Sequence, residues 1–237
     1  MRRVTIVLKV LFPILSGAFF PIDNISACPP FELVITEILA DPTPGFGLPE
    51  AEFIEIYNRS ANSILLSDVK LNEGSSRDLP SIYIDAGEYV IICDDDDTSE
   101  FTGYGKVAWV SSMTLTNSGE SIYLSCNSGT VIDSVYYSSS WYMDSYKEDG
   151  GWSLERIDTE FTCYNPSNWE PSSNTSGGTP GFVNSNAGVF NDVIPPVSLN
   201  SYQIDSTLIV IEFSEHIQLP VHLNQIHISR LGSPQSV

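Results

Sequence analysis

Glu50-Ala-Glu-Phe-Ile-Glu-Ile-Tyr-Asn58 alternates like a strand. Side chains of a strand repeat with period two, so Phe53, Glu55 and Tyr57 share one face and Ile54 and Ile56 the other. A carboxylate between two aromatic residues is out of place there. Leu33-Val-Ile-Thr-Glu-Ile-Leu39 repeats the anomaly, since strict alternation sets Glu37 beside Ile35 and Leu39. A buried, unpartnered carboxylate costs several kcal/mol, so each needs a partner or water. Arg156, in the strand-like Ser153-Leu-Glu-Arg156, can supply a salt bridge, and a solvated rim or a β-bulge can turn a carboxylate out to water. Calcium held by Glu37 and Glu55 with Asp41, Glu52 or Asn58 is the functional alternative.

Outward from these two segments, short runs rich in Ile, Val and Tyr recur: Ile64 to Leu71, Ile82 to Ile84, Glu88 to Cys93, Val107 to Val110, Ser121 to Ser125 and Val131 to Tyr137. Asp85-Ala-Gly87, Asn117-Ser-Gly119 and Asn127-Ser-Gly129 supply turns between them. No stretch beyond residue 27 keeps an apolar stripe of helical period for three turns. About eight closely spaced strands without helices predict an all-β, antiparallel β-sandwich around a shared core.

Composition shifts over residues 165–191, rich in Pro, Ser, Asn and Gly, and Ile194-Pro-Pro-Val197 reads as a stiff hinge. Ser206 to Ser214 and Gln225 to Leu231 are further predicted strands. The expected organisation is an export signal over 1–27, a sandwich over 30–188, a linker over 189–197 and a partial second β domain over 198–237.

The signal assignment rests on Arg2-Arg3 followed by an apolar run interrupted by Pro13 and Gly17, with Ser26-Ala27 before Cys28. Ile25-Ser-Ala-Cys28 resembles a bacterial lipoprotein box. Because Pro21-Ile-Asp-Asn24 interrupts the approach, ordinary signal cleavage is the leading reading, and Cys28 as a lipidation site is the alternative. Such a chain is expected outside the cytoplasm, secreted or at the cell surface, its only membrane attachment a lipid on the outer membrane. Export permits disulfides, and Cys93 and Cys126, each ending an apolar run, are a candidate pair. The net charge of −20 argues against nucleic acid and for cations.

Val34-Ile-Thr-Glu-Ile38, Glu52-Phe-Ile-Glu-Ile-Tyr-Asn58, Leu66-Ser-Asp68, Ala86-Gly-Glu-Tyr-Val-Ile91, Leu115 to Leu124, Val131 to Tyr136, Gly151-Trp-Ser-Leu-Glu-Arg156, Asn168-Trp169 and Gly178-Thr-Pro-Gly181 follow one another in this order. Together they resemble the lamin tail domain, an Ig-like sandwich found in nuclear filaments and in many exported bacterial proteins. Asp205 to Glu215 is similar to the start of bacterial Ig-like domains. The resemblance implies an interaction or display module without catalytic machinery, acting in adhesion or scaffolding, and it brings no ligand with it. Asp94-Asp-Asp-Asp97 and the cysteines depart from the family pattern.

Other residues carry candidate chemistry. Asp94, Asp95, Asp96 and Asp97 form either a solvated loop or a calcium site, but lack the alternating donors and central glycine of an EF-hand. His216, His222 and His227 read as strand surface rather than zinc ligands, and no nucleophile elbow accompanies them. Trp141 and Tyr142, in a serine-rich loop, are candidate contacts for a protein or glycan partner. Tyr136 and Trp152 read as interior. Two alternatives to a plain adhesion module remain: a calcium-dependent glycan-binding module, and an accessory domain of a larger secreted hydrolase.

Overall fold

The computed structural model describes residues 4–9, 30–193, 195, 197–205 and 208–213. The chain divides into two compact units, Ala18–Asp192 and a smaller one of Met1–Gly17 with Val193–Val237. β1 (Val4–Lys9) belongs to the smaller unit. The larger holds β2 (Leu33–Leu39), β3 (Phe53–Asn58), β4 (Ile64–Leu65), β5 (Val69–Glu73), β6 (Ser75–Asp78), β7 (Tyr83–Ile84), β8 (Tyr89–Asp94), β9 (Lys106–Val110), β10 (Ser121–Cys126), β11 (Val131–Tyr136), β12 (Leu154–Arg156) and β13 (Trp169–Pro171). In the smaller unit β14 (Ser198–Asp205) and β15 (Leu208–Phe213) pair antiparallel, and β1 pairs with β15. The rest of 1–27, Cys28, the three histidines and Gln225 to Leu231 lie outside the described residues. Among those described, no helix is long and apolar enough to cross a membrane.

The larger unit is an all-β sandwich. A six-stranded sheet, β13-β12-β2-β3-β8-β9, lies over a four-stranded one, β11-β10-β5-β6. Each pairing is antiparallel except β8 with β9, which is parallel. The turn Asp95–Asp97 and the loop after it carry the chain across to that parallel edge. Ile35, Ile54, Ile56, Val90 and Ile92 from one sheet meet Val69, Leu71, Ile122, Leu124 and Val135 from the other in the main core. Burial of each such side chain is worth roughly 1.5–3 kcal/mol.

The six-stranded sheet is covered on its other face too. Leu39, Phe53, Ile91 and Cys93 pack there under Leu48, Ala51 and Phe101. Two covered faces leave no side for water, and every residue of β2 is buried.

A β-bulge decides where Glu37 points. Ile35 lies opposite Ile56 and Glu37 opposite Glu55, so Thr36 is the extra residue. Leu33, Ile35 and Ile38 face the main core while Leu39 joins the second cluster. Glu37 therefore shares a face with Leu39 and Glu55 rather than with Ile35. The bulge turns it out of the main core, yet not to water, because Glu37 and Glu55 are both 0% exposed.

Arg156 is not their partner. Its Nη1 donates to Asp133 Oδ2 at 2.9 Å and to Ile35 O at 3.3 Å, and its Nη2 to Phe161 O at 2.7 Å. Asp133 Oδ2 also accepts Ile35 N at 2.8 Å, so this buried pair ties β11 to β2 and β12 across the sandwich. The Cys93–Cys126 disulfide is not formed. Cys93 is a free thiol in the second cluster, whereas Cys126 lies in the main core, with a sheet between them.

Candidate recognition cleft and the carboxylate row beside it

Glu170 on β13 lies opposite Glu155 on β12, Glu155 opposite Glu37 on β2, and Glu37 opposite Glu55 on β3. Residues directly opposite share a sheet face with Cβ atoms roughly 4.5–5.5 Å apart, so four glutamates stand in one row. Glu170 is exposed, whereas Glu155, like Glu37 and Glu55, is 0% exposed. No ion pair among the described residues involves the buried three.

Their partners come from the polar segment 177–188, which lies across them as a strap. Thr179 N donates to Glu37 Oε1 at 2.8 Å, Gly181 N to Glu55 Oε2 at 2.5 Å, and Asn186 N to Glu155 Oε2 at 3.0 Å. Hydroxyls add to these: Ser153 to Glu37 Oε1 at 2.5 Å, Thr36 to Glu55 Oε1 at 2.7 Å, and Ser185 to Glu155 Oε2 at 2.8 Å. Asn184 donates from Nδ2 to Thr36 O and Arg156 O, both at 2.9 Å, pinning the strap to the bulge.

Such a fit needs small residues and a free backbone. A Cβ on Gly178 would meet Glu37 Oε1 at 2.5 Å and Leu48 Cδ1 at 2.7 Å. Gly181 has a φ of +85°, and a Cβ there would meet Tyr104 O at 1.5 Å. Gly178→Ala is expected to cost about 1–3 kcal/mol through overpacking, measurable as a lower urea midpoint at unchanged m-value.

Thr179 Oγ1 lies 3.3 Å from Glu37 Oε2 and 3.0 Å from Glu155 Oε1. A hydroxyl has one proton and cannot donate to both. A proton on Glu37 Oε2 completes the chain, from Glu37 to Thr179 to Glu155. Burial pushes the Glu37 carboxyl up to about 8, with the charge of Glu155 adding to it. Burial also pushes Glu55 well above its ordinary value of 4.5, with Glu37 adding to it.

The exposed end of the row opens on a cleft of about 520 Å³ lined by Trp141, Met143, Lys147, Trp169, Glu170 and Asn186. This is within the size range of small-ligand sites. The Trp141 and Trp169 rings lie 6.2 Å apart, tilted by 36°. Met143 is 94% exposed at the end of the turn Ser139–Tyr142, with a left-handed φ of 50°. Lys147 Nζ donates to Ser172 O at 2.5 Å and lies 4.6 Å from the Trp152 ring, so it is already engaged. Aromatic surface beside an exposed carboxylate, serine hydroxyls and an amide suits sugar hydroxyls or a polar peptide.

The residues singled out from the sequence are spread over the unit. Trp141 and Tyr142 both line the cleft; Trp141 is half-buried, and Tyr142 is buried with its hydroxyl donating to Trp152 O at 2.7 Å. Tyr136, read as interior, is 54% exposed, and Tyr137 is buried instead with its hydroxyl donating to Thr116 O. Asp41 accepts from Asn117 Nδ2 and Glu52 from Leu115 N, each at 2.7 Å, and neither joins Glu37 or Glu55. Asn58 donates to Asn62 O and Ile84 O.

Among the described residues, Asp94, Asp95 and Asp96 form the one group of metal-ligand atoms within 4.8 Å of one another. Asp94 is the half-buried member, accepting from Asp96 N and Met113 N. Against desolvation, these backbone donors hold its carboxyl below the usual range. Neither this group nor Asp97 lines the cleft. Glu155, Glu170, Asp133 and Trp169 were not singled out as site residues from the sequence; the alternation of Leu154-Glu-Arg156 was the available signal for Glu155, one charge to each face.

Residues 28–139 match the family model described as Lamin Tail Domain. No curated protein and no solved structure matches. β12, β13 and the strap lie beyond the matched span, although β12 and β13 belong to the same six-stranded sheet.

Proposed function

Residues 28–139 belong to the lamin tail domain family, a non-catalytic Ig-like fold of the interaction type, and on that premise we propose that the protein is an adhesion or scaffold module acting outside the cytoplasm. The supporting observation is the cleft, with its two tryptophans, exposed Met143 and exposed Glu170. Large aromatic anchors in a pocket are the usual carriers of binding energy. The partner is a protein or glycan at the cell surface, and the net charge of −20 disfavours nucleic acid. Export is supported by the basic start and apolar run of residues 1–27, and attachment through a lipid on Cys28 by the resemblance of Ile25-Ser-Ala-Cys28 to a lipoprotein box. Mass spectrometry of the protein recovered from its cells tests this, the expected result being cleavage before Cys28, which removes β1 and leaves β15 paired with β14 alone.

Beads carrying the full chain are expected to adhere to surfaces of the producing cells. Trp141→Ala and, separately, Glu170→Lys should each lower that adhesion about tenfold or more, equivalent to about 1.4 kcal/mol. Equal adhesion by both variants, folded as judged by circular dichroism, overturns the assignment of the cleft. The grouping of Asp94, Asp95 and Asp96 favours calcium-dependent glycan binding as a second reading. Saturable calcium uptake with a raised melting temperature supports it, and adhesion unchanged by a chelator removes it.

A further inference from the structure

We propose that the buried glutamates are a proton-dependent clasp: with protons in the row the strap is seated and shapes one wall of the cleft, and once the row ionises the strap lifts and the wall is lost. This rests on the cleft being the recognition site and adds its regulation.

Register and donors carry the proposal. Glu155, Glu37 and Glu55 are neighbours on adjacent strands, fully buried and without a cation. The single Thr179 hydroxyl can donate to only one of the two carboxyls it lies between, and a proton on the row lets it bond to both. Charge on both Glu37 and Glu55 would place like charges on directly opposite residues in a dry setting, where each opposes the other. The strap is the part able to yield, since residues 174–190 have no ionisable side chain and supply no counter-charge.

The groups facing the row are few. Tyr57 of β3 and Tyr89 of β8 stack on each other at 4.5 Å, and burial with the nearby Glu55 pushes the Tyr89 phenol up to about 12. Tyr104, whose carbonyl Gly181 abuts, donates its own hydroxyl to Gly47 O, and Glu50 in the loop bearing Leu48 is exposed. Among the described residues, Glu170 is the only other carboxylate in this register. None is a cation able to stabilise the ionised row.

The strap reaches the cleft by a short path. Asn186, a lining residue, donates its backbone N–H to Glu155 Oε2 and its Nδ2 to Pro171 O at 3.0 Å. Ser185 donates to Glu155 and accepts Ser173 N at 2.9 Å, and Ser173 also lines the cleft. Glu155 is thus a positioning residue, holding Asn186 and Ser173 through the strap.

The test is hydrogen exchange on the full chain at about pH 6 and about pH 9.5, read as protection factors corrected for intrinsic rate. Protection of the Thr179, Gly181 and Asn186 amides is expected to fall at least about tenfold at the higher pH, while that of Leu124 holds. The Glu37→Gln/Glu55→Gln chain, which keeps neutral groups of the same shape, is expected to retain protection at both values. Equal protection in the unaltered chain at both pH values overturns the clasp without any variant, and so does an equal fall in the double variant. Strap opening with no Trp141-dependent adhesion at any pH sinks the recognition reading and leaves the clasp standing. Trp141-dependent adhesion with pH-independent protection sinks the clasp alone.

Discussion

Arg156→Leu is expected to cost about 3–5 kcal/mol, because it leaves Asp133 charged, buried and without its cation. Asp133 is 2% exposed and Arg156 5%, so water cannot take the missing partner's place. The unit's whole stability is of order 5–15 kcal/mol, and such a loss populates unfolded chains at moderate temperature. Asp133→Leu should cost a similar amount, since it strands the guanidinium and removes the acceptor of Ile35 N. The double variant restores only part. It removes both charges but still orphans the Ile35 amide at the edge of the bulge, a penalty of about 1–3 kcal/mol. Urea denaturation of the four chains gives the coupling directly, and additive losses would show that the pair does not tie the sheets.

The second large effect is on stability against pH. The Glu37 carboxyl is held at about 8 in the folded chain against an ordinary 4.5, so between those values the folded state binds more protons than the unfolded one. Its contribution is complete below about pH 4.5 and is lost as pH rises through about 8, at up to about 1.4 kcal/mol per pH unit. Glu55 is shifted in the same direction and steepens the loss. Urea midpoints are therefore expected to fall steadily from about pH 5 to about pH 8. A general rise of negative self-repulsion also acts in this range, but is present in every variant. Glu37→Gln/Glu55→Gln should flatten most of the slope, and an equally steep slope in that variant would assign the effect to surface charge.

Much of the sandwich was legible. Leu33 to Leu39 and Phe53 to Asn58 have the residue types of buried strands, and turn chemistry delimits most of the others. What alternation could not supply was the bulge at Thr36, because an inserted residue changes no composition and is set by the pairing with β3. The face of Glu37 therefore followed from a count that was off by one. Arg156 was recognised as a cation on a strand, but Asp133, 23 residues away, becomes its partner through sheet packing alone. The strap shows a different limit. Gly, Ser, Thr and Asn in quantity ordinarily mean a solvated loop, yet the same small residues bring backbone N–H groups onto buried carboxyls. Only a covered second sheet face distinguishes the two outcomes, and that coverage comes from segments far apart in the chain. Within the cleft, Trp141 stood out by type and setting, whereas Trp169 joins it through the pairing of β13 with β12.

Cys93 gives the sandwich a built-in unfolding reporter. Its side chain is buried in the same cluster as Phe101, and burial, with Asp97 and Asp94 adding to it, pushes the thiol up to about 12. Alkylating dyes attack the thiolate, so in the native chain this position is doubly shielded, by access and by its proton. Labelling at Cys93, resolved by peptide mass, therefore runs only as fast as the surrounding layer opens. One reagent thus times the molecule's breathing, with no engineered probe.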